Sequence, residues 1–186
     1  MGELIPFSPL KDEKLPEDID FLYIGGGYPE VFEKELSKNK NLLSDIKSKL
    51  ENGLPTFAEC GGLMYLTNGS KTNNLVGFFH GTFKMTDKLV NFGYAKLQVL
   101  NENHIFGKNL EINCHEFHKS YVQLKEETIF SISKNYYEEE IKWQCGYIRK
   151  NVIATYAHIH FYGNIEFFNS LIKLAKDYKK GESNNG

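Results

Sequence analysis

The residues with the clearest chemical potential are Cys60 and the two glycines that follow it. The stretch Pro55-Thr56-Phe57-Ala58-Glu59-Cys60-Gly61-Gly62-Leu63 predicts a short strand, a tight turn and the start of a helix. This order is typical of a nucleophile elbow, in which a sharp turn lifts one reactive side chain above a sheet edge. The predicted helix start would place free N–H groups beside the sulfur, so we expect a stabilised thiolate. The pattern indicates that Cys60 attacks a carbonyl carbon.

A second residue must act as the base, since a lone cysteine is more often a small buried hydrophobe. His158 follows a predicted apolar strand at residues 151–156. The end of another strand at the same sheet edge can bring an imidazole within hydrogen-bond reach of a thiol. Cys60 and His158 are therefore the candidate nucleophile and base.

Three consecutive glycines, Gly25, Gly26 and Gly27, end a predicted buried strand at residues 19–24. They let the backbone approach a ligand closely, and Pro29 suits the first turn of a following helix. The dinucleotide-binding pattern requires glycine where this chain has Glu30, which disfavours that interpretation. An oxyanion-binding loop and a plain tight turn are both left open.

The elements that position these loops alternate between strands and helices. Helical spacing covers residues 31–36 and 41–50, and the strands at 19–24 and 55–58 complete an α/β pattern with parallel strands. Sites in such sheets lie at the carboxyl ends of the strands. Further short strands, in a mixed or antiparallel part of the sheet, are predicted at 76–83, 94–100, 120–124, 128–131 and 143–148. A closing helix is predicted at 166–178.

The size and charge of the chain limit the classes of function. With 186 residues and a net charge of −2, it fits one domain with no general attraction to nucleic acid or to a membrane surface. We expect a connecting segment at 1–18, the domain at 19–178 and a disordered tail at 179–186. Three cysteines and the lack of a bilayer-length apolar run favour a cytoplasmic protein.

A zinc site is the main alternative for the histidines and cysteines. His158 and His160 would point the same way on an extended strand, and the stretch Cys114-His115-Glu116-Phe117-His118 adds more ligand types. The chain has no CxxC pair, no HExxH helix and no zinc-like spacing, so we expect no metal. The spacing of an ATP-binding P-loop is not met either. His115, Glu116 and His118 are left as cleft-lining or simply exposed residues.

Four motifs together resemble a known family. They are GGGYPE at 25–30, AECGGLMYL at 58–66, CHEFH at 114–118 and TYAHIHF at 155–161. In this order they resemble the class I glutamine amidotransferase domain of the cobyrinic acid a,c-diamide synthase family. The resemblance extends from about residue 3 to the closing helix. It implies a flavodoxin-like, mixed and mainly parallel sheet with helices on both faces.

The resemblance also implies a role for each site residue. Cys60 would attack the side-chain amide of glutamine, giving a glutamyl thioester and ammonia. His158 would deprotonate the thiol and protonate the departing ammonia. Backbone N–H groups of Gly26 or Gly27 and of Gly61 would bind the oxyanion, where negative charge develops.

One position departs from the wider class. Many class I amidotransferases carry a glutamate two residues after the histidine, and this chain has His160 there. A neutral imidazole can orient a neighbour but cannot supply the charge. We therefore expect a Cys–His dyad, with Glu59, Glu116 and His160 as candidate supporting residues.

The resemblance further implies a partner domain. In this family an N-terminal ATP-dependent synthetase domain activates tetrapyrrole carboxylates, so we expect this chain to be the C-terminal part of a longer enzyme. ATP and Mg²⁺ would belong to that other domain, and this one would need no cofactor. Nickel sirohydrochlorin and hydrogenobyrinate a,c-diamide synthases would share this half. A catalytically silent interaction module with the same fold is another alternative.

Overall fold

The computed structural model describes residues 2–70, 72–108 and 110–183. The helices and strands, in chain order, are β1 (Leu22–Ile24), α1 (Glu33–Leu36), α2 (Lys40–Glu51), β2 (Thr56–Glu59), α3 (Gly61–Leu66), β3 (Gly81–Val99), β4 (Glu111–Leu124), β5 (Thr128–Tyr136), β6 (Glu139–Arg149), β7 (Val152–Thr155), β8 (His158–Ile159) and α4 (Ile165–Ser183). A short 3₁₀ turn at Phe161–Gly163 connects β8 to α4.

Within these residues the strands form one mixed sheet in the order β1-β2-β7-β6-β5-β3-β4-β8. The strands β1, β2 and β7 pair in parallel, and the other pairings are antiparallel. The expected α/β architecture with a mixed sheet is present. Parallel pairing does not dominate, however, because among the described residues only β1 with β2 and β2 with β7 pair in parallel, against five antiparallel pairings.

Strand β2 lies at the centre of the parallel part and delivers the elbow. All of its residues are buried, and β1 pairs along one edge and β7 along the other. A strand covered on both faces is expected to be apolar throughout. Two residues of β2 are polar, Thr56 at its start and Glu59 at its end, and Glu59, the charged one, is 4% exposed.

Aromatic packing around Phe57 closes one face of this strand. The Phe57 ring lies 6.1 Å from the ring of Tyr23, 6.1 Å from that of Phe161 and 5.2 Å from that of Phe167, measured between centroids. The residues come from β1, the 3₁₀ turn and α4. The cluster therefore ties the closing helix to the strand that ends at the site.

The predicted strand at residues 76–83 begins only at Gly81. The backbone N–H of Val76 donates to the carbonyl of Tyr65, and that of Phe78 donates to the carbonyl of Leu66. These N–H groups therefore bond to the last residues of α3 and not to a neighbouring strand. The segment is buried, which explains its apolar composition, but it does not join the sheet there.

The short connection between β7 and β8 brings the antiparallel part of the sheet to the site. Only Tyr156 and Ala157 separate the two strands, yet β7 pairs with β2 whereas β8 pairs with β4. Strand β4 must therefore lie beside the carboxyl end of β7. The ring of His118 on β4 stacks on that of Tyr156, with centroids 3.9 Å apart.

The helices largely match their predictions. The buried face of α2 consists of the four residues expected from helical spacing, Leu42, Leu43, Ile46 and Leu50. Helix α4 continues to Ser183, so residues 179–183 of the predicted disordered tail are helical; residues 184–186 lie outside the described residues. None of the described helices is long and apolar enough to cross a membrane.

The predicted connecting segment has no helix or strand in its described residues, 2–18. It is nevertheless anchored to α2. Leu15 is 2% exposed, and its backbone N–H donates to the carboxylate of Asp45 at 2.8 Å.

The aromatic cluster makes Phe57→Ala a test of the core. Phe57 is fully buried, so its truncation is expected to lower the free energy of unfolding by about 3–5 kcal/mol. Denaturant unfolding followed by circular dichroism measures the change. Tyr94→Thr is the control, because Tyr94 is 88% exposed and its replacement should cost less than about 0.5 kcal/mol. Equal losses in the two variants would contradict the assignment of the core.

Candidate active site

The turn after β2 has the backbone of a nucleophile elbow. Cys60 has φ 50° and ψ −105°, and α3 begins at the next residue. A positive φ is uncommon outside glycine and is retained only where the surrounding structure enforces it. Here the backbone N–H of Cys60 donates to the carbonyl of Thr155 at 2.8 Å, and its own carbonyl accepts from the N–H of Met64 at 3.2 Å. The predicted strand, turn and helix are confirmed.

The two glycines after Cys60 are required by close backbone packing. A Cβ at Gly61 would lie 2.6 Å from the carbonyl oxygen of Gly27, and one at Gly62 would collide with the carbonyl oxygen of Ile24. The elbow therefore packs directly against the end of β1 and the loop that follows it. No larger residue fits at either position without moving backbone.

His158 reaches the same place from β8. It pairs with His115 of β4, and the two rings stack with centroids 4.9 Å apart. A Cβ at Gly26 would lie 2.8 Å from Cε1 of His158. The glycine loop thus contacts the elbow through Gly27 and the imidazole through Gly26. The structure brings together the two glycine segments and the histidine that sequence reasoning proposed.

Glu59 lies beneath this imidazole. Its Oε1 accepts the backbone N–H of Ile159 at 2.7 Å, and its Oε2 accepts the hydroxyl of Tyr23 at 2.5 Å. The same Oε2 lies 4.0 Å from Nδ1 of His158. Of the three candidate supporting residues, Glu59 is the one whose carboxylate faces the histidine.

Glu116 is committed to other partners. It is 1% exposed, and its carboxylate is hydrogen-bonded to Nε2 of His118 at 3.0 Å and accepts Nε1–H of Trp143 at 3.1 Å. The other ring nitrogen of His118 lies 2.8 Å from the carbonyl of Ser120. Glu116 and His118 are therefore buried and paired, whereas His115 is exposed on the opposite face of β4.

His160 is not brought into the site as a partner of His158. It is exposed and precedes the 3₁₀ turn, and its ring lies beside that of Tyr162 with centroids 6.1 Å apart. The carbonyl of His160 accepts hydrogen bonds from Gly163 and Asn164. Because the chain leaves β8 after Ile159, the strand alternation that would align the two imidazoles does not continue to His160.

Comparison with known proteins now assigns the family. Residues 1–165 match the CobB/CobQ-like glutamine amidotransferase domain. The chain belongs to this family.

The curated relatives are longer than this amidotransferase domain. It is 56% identical over 174 residues to the cobyrinate a,c-diamide synthase of Clostridium acetobutylicum. It is 58% identical over 178 residues to that of Clostridium tetani. Each match covers 93% of this chain and 40% of the relative. The chain therefore spans less than half the length of these relatives.

Solved structures share the fold of this amidotransferase domain. PurLQS from Thermotoga maritima superposes with a TM-score of 0.63 at 17% identity, over 91% of this chain and 83% of that chain. A structure described as a glutamine amidotransferase gives a TM-score of 0.58 at 13% identity, over 86% of this chain and 81% of that chain. At such identities the likeness concerns the fold alone, and it confirms the predicted amidotransferase-like α/β fold.

The protonation states of the site are controlled by burial. Burial raises the pKa of the Cys60 thiol to about 11, and the hydrogen bond from the Gly61 backbone N–H offsets this only in part. The carboxylates of Glu30, Glu116 and Glu59 raise it further. The expectation of a thiolate stabilised by the helix start is therefore wrong, because the desolvation of the charged form outweighs the single donor.

His158 complements this thiol. Burial lowers the pKa of the imidazole, and the neighbouring His115 and His118 lower it further, while Glu116 opposes the change. The ring is thus neutral at pH 7 and free to accept a proton. Both groups are therefore uncharged at rest, Cys60 as a thiol and His158 as a neutral imidazole.

The histidines and cysteines of the predicted cleft were also candidate metal ligands. Among the described residues there is no group of three or more His, Cys, Asp or Glu side chains placed to hold a metal ion. The histidines of β4 and β8 stack or bond to other groups instead.

Sequence reasoning missed the contribution of Tyr23. Its hydroxyl holds the Glu59 carboxylate, whereas the strand at 19–24 was interpreted only as core. A signal was present in the register: Tyr23 pairs with Phe57, and the two-residue period of a strand puts Glu59 on the same face. Nothing in the sequence pattern predicted that the rings of His115 and His158 would stack.

The thiol state can be tested by alkylation. Because burial raises the pKa of Cys60 to about 11, the rate of iodoacetamide modification should keep rising with pH well above the ordinary thiol range near 8.5. Mass spectrometry of digested protein locates the label, and Cys60→Ser gives the background. A rate that levels off below pH 8 would contradict the thiol state described here.

The contact between Gly26 and His158 gives a second test. A methyl group at Gly26 would meet the far end of the His158 ring, so Gly26→Ala should displace the imidazole with little loss of stability. A shift of about 1 Å in a catalytic group can cost roughly 10²-fold in rate, which is the loss expected for glutamine hydrolysis.

Gly107→Ala is the control, because Gly107 lies outside the glycine loop and the elbow, and a Cβ there has no described atom within 4 Å. Both variants keep the backbone N–H. Steady-state glutaminase rates and thermal unfolding of the two variants separate the outcomes. An equal loss of rate in both would show that the ring contact is not the cause.

Proposed function

We propose that this domain hydrolyses glutamine with Cys60 as the nucleophile and His158 as the base, and supplies the ammonia to an ATP-dependent amidation. The observation that carries the proposal is the contact of one loop with both groups, through Gly27 to the elbow and through Gly26 to the imidazole. Membership of the glutamine amidotransferase family supports the choice of substrate.

In the first half of the reaction the Cys60 sulfur attacks the side-chain carbonyl carbon of glutamine. The neutral imidazole of His158 takes the thiol proton as the carbon–sulfur bond forms. The raised pKa of the thiol and the lowered pKa of the imidazole make this concerted transfer preferable to a resting ion pair. The product is a tetrahedral intermediate with a negative oxygen.

The backbone around the elbow is suited to that oxygen. The N–H of Gly61 points toward the sulfur, to which it is hydrogen-bonded, and Gly27 packs against Gly61. We assign the oxyanion to N–H groups of Gly61 and of Gly26 or Gly27, because donors fixed before the reaction stabilise the developing charge without reorganisation.

In the second half the intermediate collapses and the carbon–nitrogen bond breaks. The imidazolium of His158 returns its proton to the departing nitrogen, which leaves as ammonia, and a glutamyl thioester remains on Cys60. Water then attacks the thioester while His158 accepts one of its protons. Release of glutamate regenerates the thiol, so the balance is glutamine and water giving glutamate and ammonia.

The acceptor of the ammonia is inferred from the relatives. Two synthases that share more than half of the aligned residues are named cobyrinate a,c-diamide synthase, and each extends well beyond the matched region. We propose cobyrinate carboxylates as the acceptor, activated by an ATP- and Mg²⁺-dependent domain of the same enzyme. The three free cysteines fit a cytoplasmic location.

A glutamine-directed electrophile tests the nucleophile. A glutamine analogue that carries a diazoketone in place of the amide should label Cys60 and leave Cys114 and Cys145 unmodified, because only the thiol at the glutamine site meets the bound analogue. An excess of glutamine should protect Cys60 from the label. Peptide mass spectrometry identifies the labelled residue. Cys60→Ser should lose both the label and the hydrolysis of glutamine.

Cys145→Ser is the control, because Cys145 is a buried thiol on β6 whose contacts are the Thr155 hydroxyl and the backbone N–H of Tyr156. It should keep the label on Cys60. A domain that binds its partner enzyme but neither reacts with the analogue nor releases ammonia would instead be a catalytically silent interaction module.

A further inference from the structure

One buried carboxylate is placed to act on the catalytic imidazole. The Glu59 side chain is 5% exposed, and its Oε2 lies 4.0 Å from Nδ1 of His158. We propose that Glu59, the residue directly before the nucleophile, is the positioning residue of His158. The inference rests on the proposed function and adds a third member to the Cys60 and His158 pair.

The carboxylate is fixed from two sides. Tyr23 of β1 donates its hydroxyl to Oε2, and the backbone N–H of Ile159 in β8 donates to Oε1. Burial and the neighbouring Glu59 raise the pKa of Tyr23, so the phenol keeps its proton and remains a donor. Since Ile159 follows His158 directly, the same carboxylate also anchors the backbone that carries the imidazole.

This arrangement decides which ring nitrogen reacts. Glu59 faces Nδ1, which leaves Nε2 as the nitrogen available to the thiol. At 4.0 Å the contact is longer than a hydrogen bond and acts through charge. When His158 takes the proton of Cys60, the new imidazolium gains an anion beside Nδ1, and such contacts commonly tighten in the reacting complex.

The other charged groups around His158 do not replace this contact. His115 stacks on the ring, and together with His118 it disfavours the imidazolium. Glu116 favours the imidazolium from a distance, but its oxygens are bonded to His118 and Trp143. Glu59 is thus the buried carboxyl group that lies directly beside the ring. Burial raises the pKa of Glu59, and the hydrogen bonds from Tyr23 and from the backbone N–H of Ile159 oppose that rise and favour the carboxylate.

Glu59→Gln tests the role, because glutamine keeps the shape and removes the charge. The pKa of the His158 imidazole, followed by NMR titration of the full chain, should fall, because the imidazolium loses a neighbouring negative charge. The kcat for glutamine hydrolysis should fall roughly 10²-fold through loss of positioning, with KM nearly unchanged. The acid limb of the plot of rate against pH should shift to lower pH, following the lower pKa of the His158 imidazole.

Matched variants keep the test falsifiable. Glu111→Gln removes an exposed carboxylate at the start of β4 that pairs with Lys96, and should leave the imidazole titration and kcat as they are. Glu59→Asp, which retains the charge, should recover part of kcat. Tyr23→Phe removes a hydrogen bond to the Glu59 carboxylate but keeps the carboxylate, so it should lower kcat less than Glu59→Gln does. It replaces Glu59→Gln as the test if that variant does not fold.

The proposal would be overturned if the pKa of the His158 imidazole were unchanged in both Glu59→Gln and Tyr23→Phe. It would also be overturned if His160→Gln lowered kcat as much as Glu59→Gln does. Cys60→Ser separates this failure from that of the proposed function. If Cys60→Ser is inactive while Glu59→Gln matches the unaltered protein, only the positioning role is wrong. If Cys60→Ser hydrolyses glutamine normally, the proposed function itself is wrong.

Discussion

Close backbone packing between two glycine segments is the constraint on which the site depends. Gly61 lies against Gly27, and Gly62 lies against the carbonyl of Ile24, at distances where a side chain would force the backbone apart. This contact holds the left-handed turn at Cys60 against the end of β1. Because the turn is strained for a residue with a side chain, the packing and the hydrogen bond to Thr155 must enforce it.

The same packing determines the electrostatics. A glycine contact that excludes water also buries the Cys60 sulfur, and burial raises its pKa. The site therefore does not store a thiolate. The imidazole of His158 is also uncharged, because burial and two neighbouring histidines lower its pKa. A protonated resting thiol is also less exposed to oxidation than a free thiolate.

Two structural regions with different pairing meet at this site. The parallel strands β1, β2 and β7 deliver the glycine loop, Glu59 and Cys60, as the rule for α/β sheets requires. The long antiparallel strands deliver His115 and, through β8, His158. The two-residue link between β7 and β8 joins these regions, because β7 pairs with β2 whereas β8 pairs with β4.

The sequence by itself determined the local elements of the parallel region. Apolar runs and helical spacing predicted β1, α2, β2 and the elbow turn within a few residues, and the glycines marked where backbones approach. These features depend on neighbours in the chain, whose preferences are visible in the residue types. The candidate nucleophile, base and glycine loop could also be named, since strand ends in such sheets share an edge.

Only the tertiary structure decided which candidate supporting residue lies beside His158 and how the thiol is protonated. Glu59, Glu116 and His160 were equivalent candidates in the sequence, but burial and hydrogen bonds direct Glu116 to His118 and Trp143 and leave His160 at the surface. The pKa of the Cys60 thiol likewise depends on its burial by residues that are distant in the chain. Desolvation and charge act through space, and the order of residues does not specify those distances until the chain has folded.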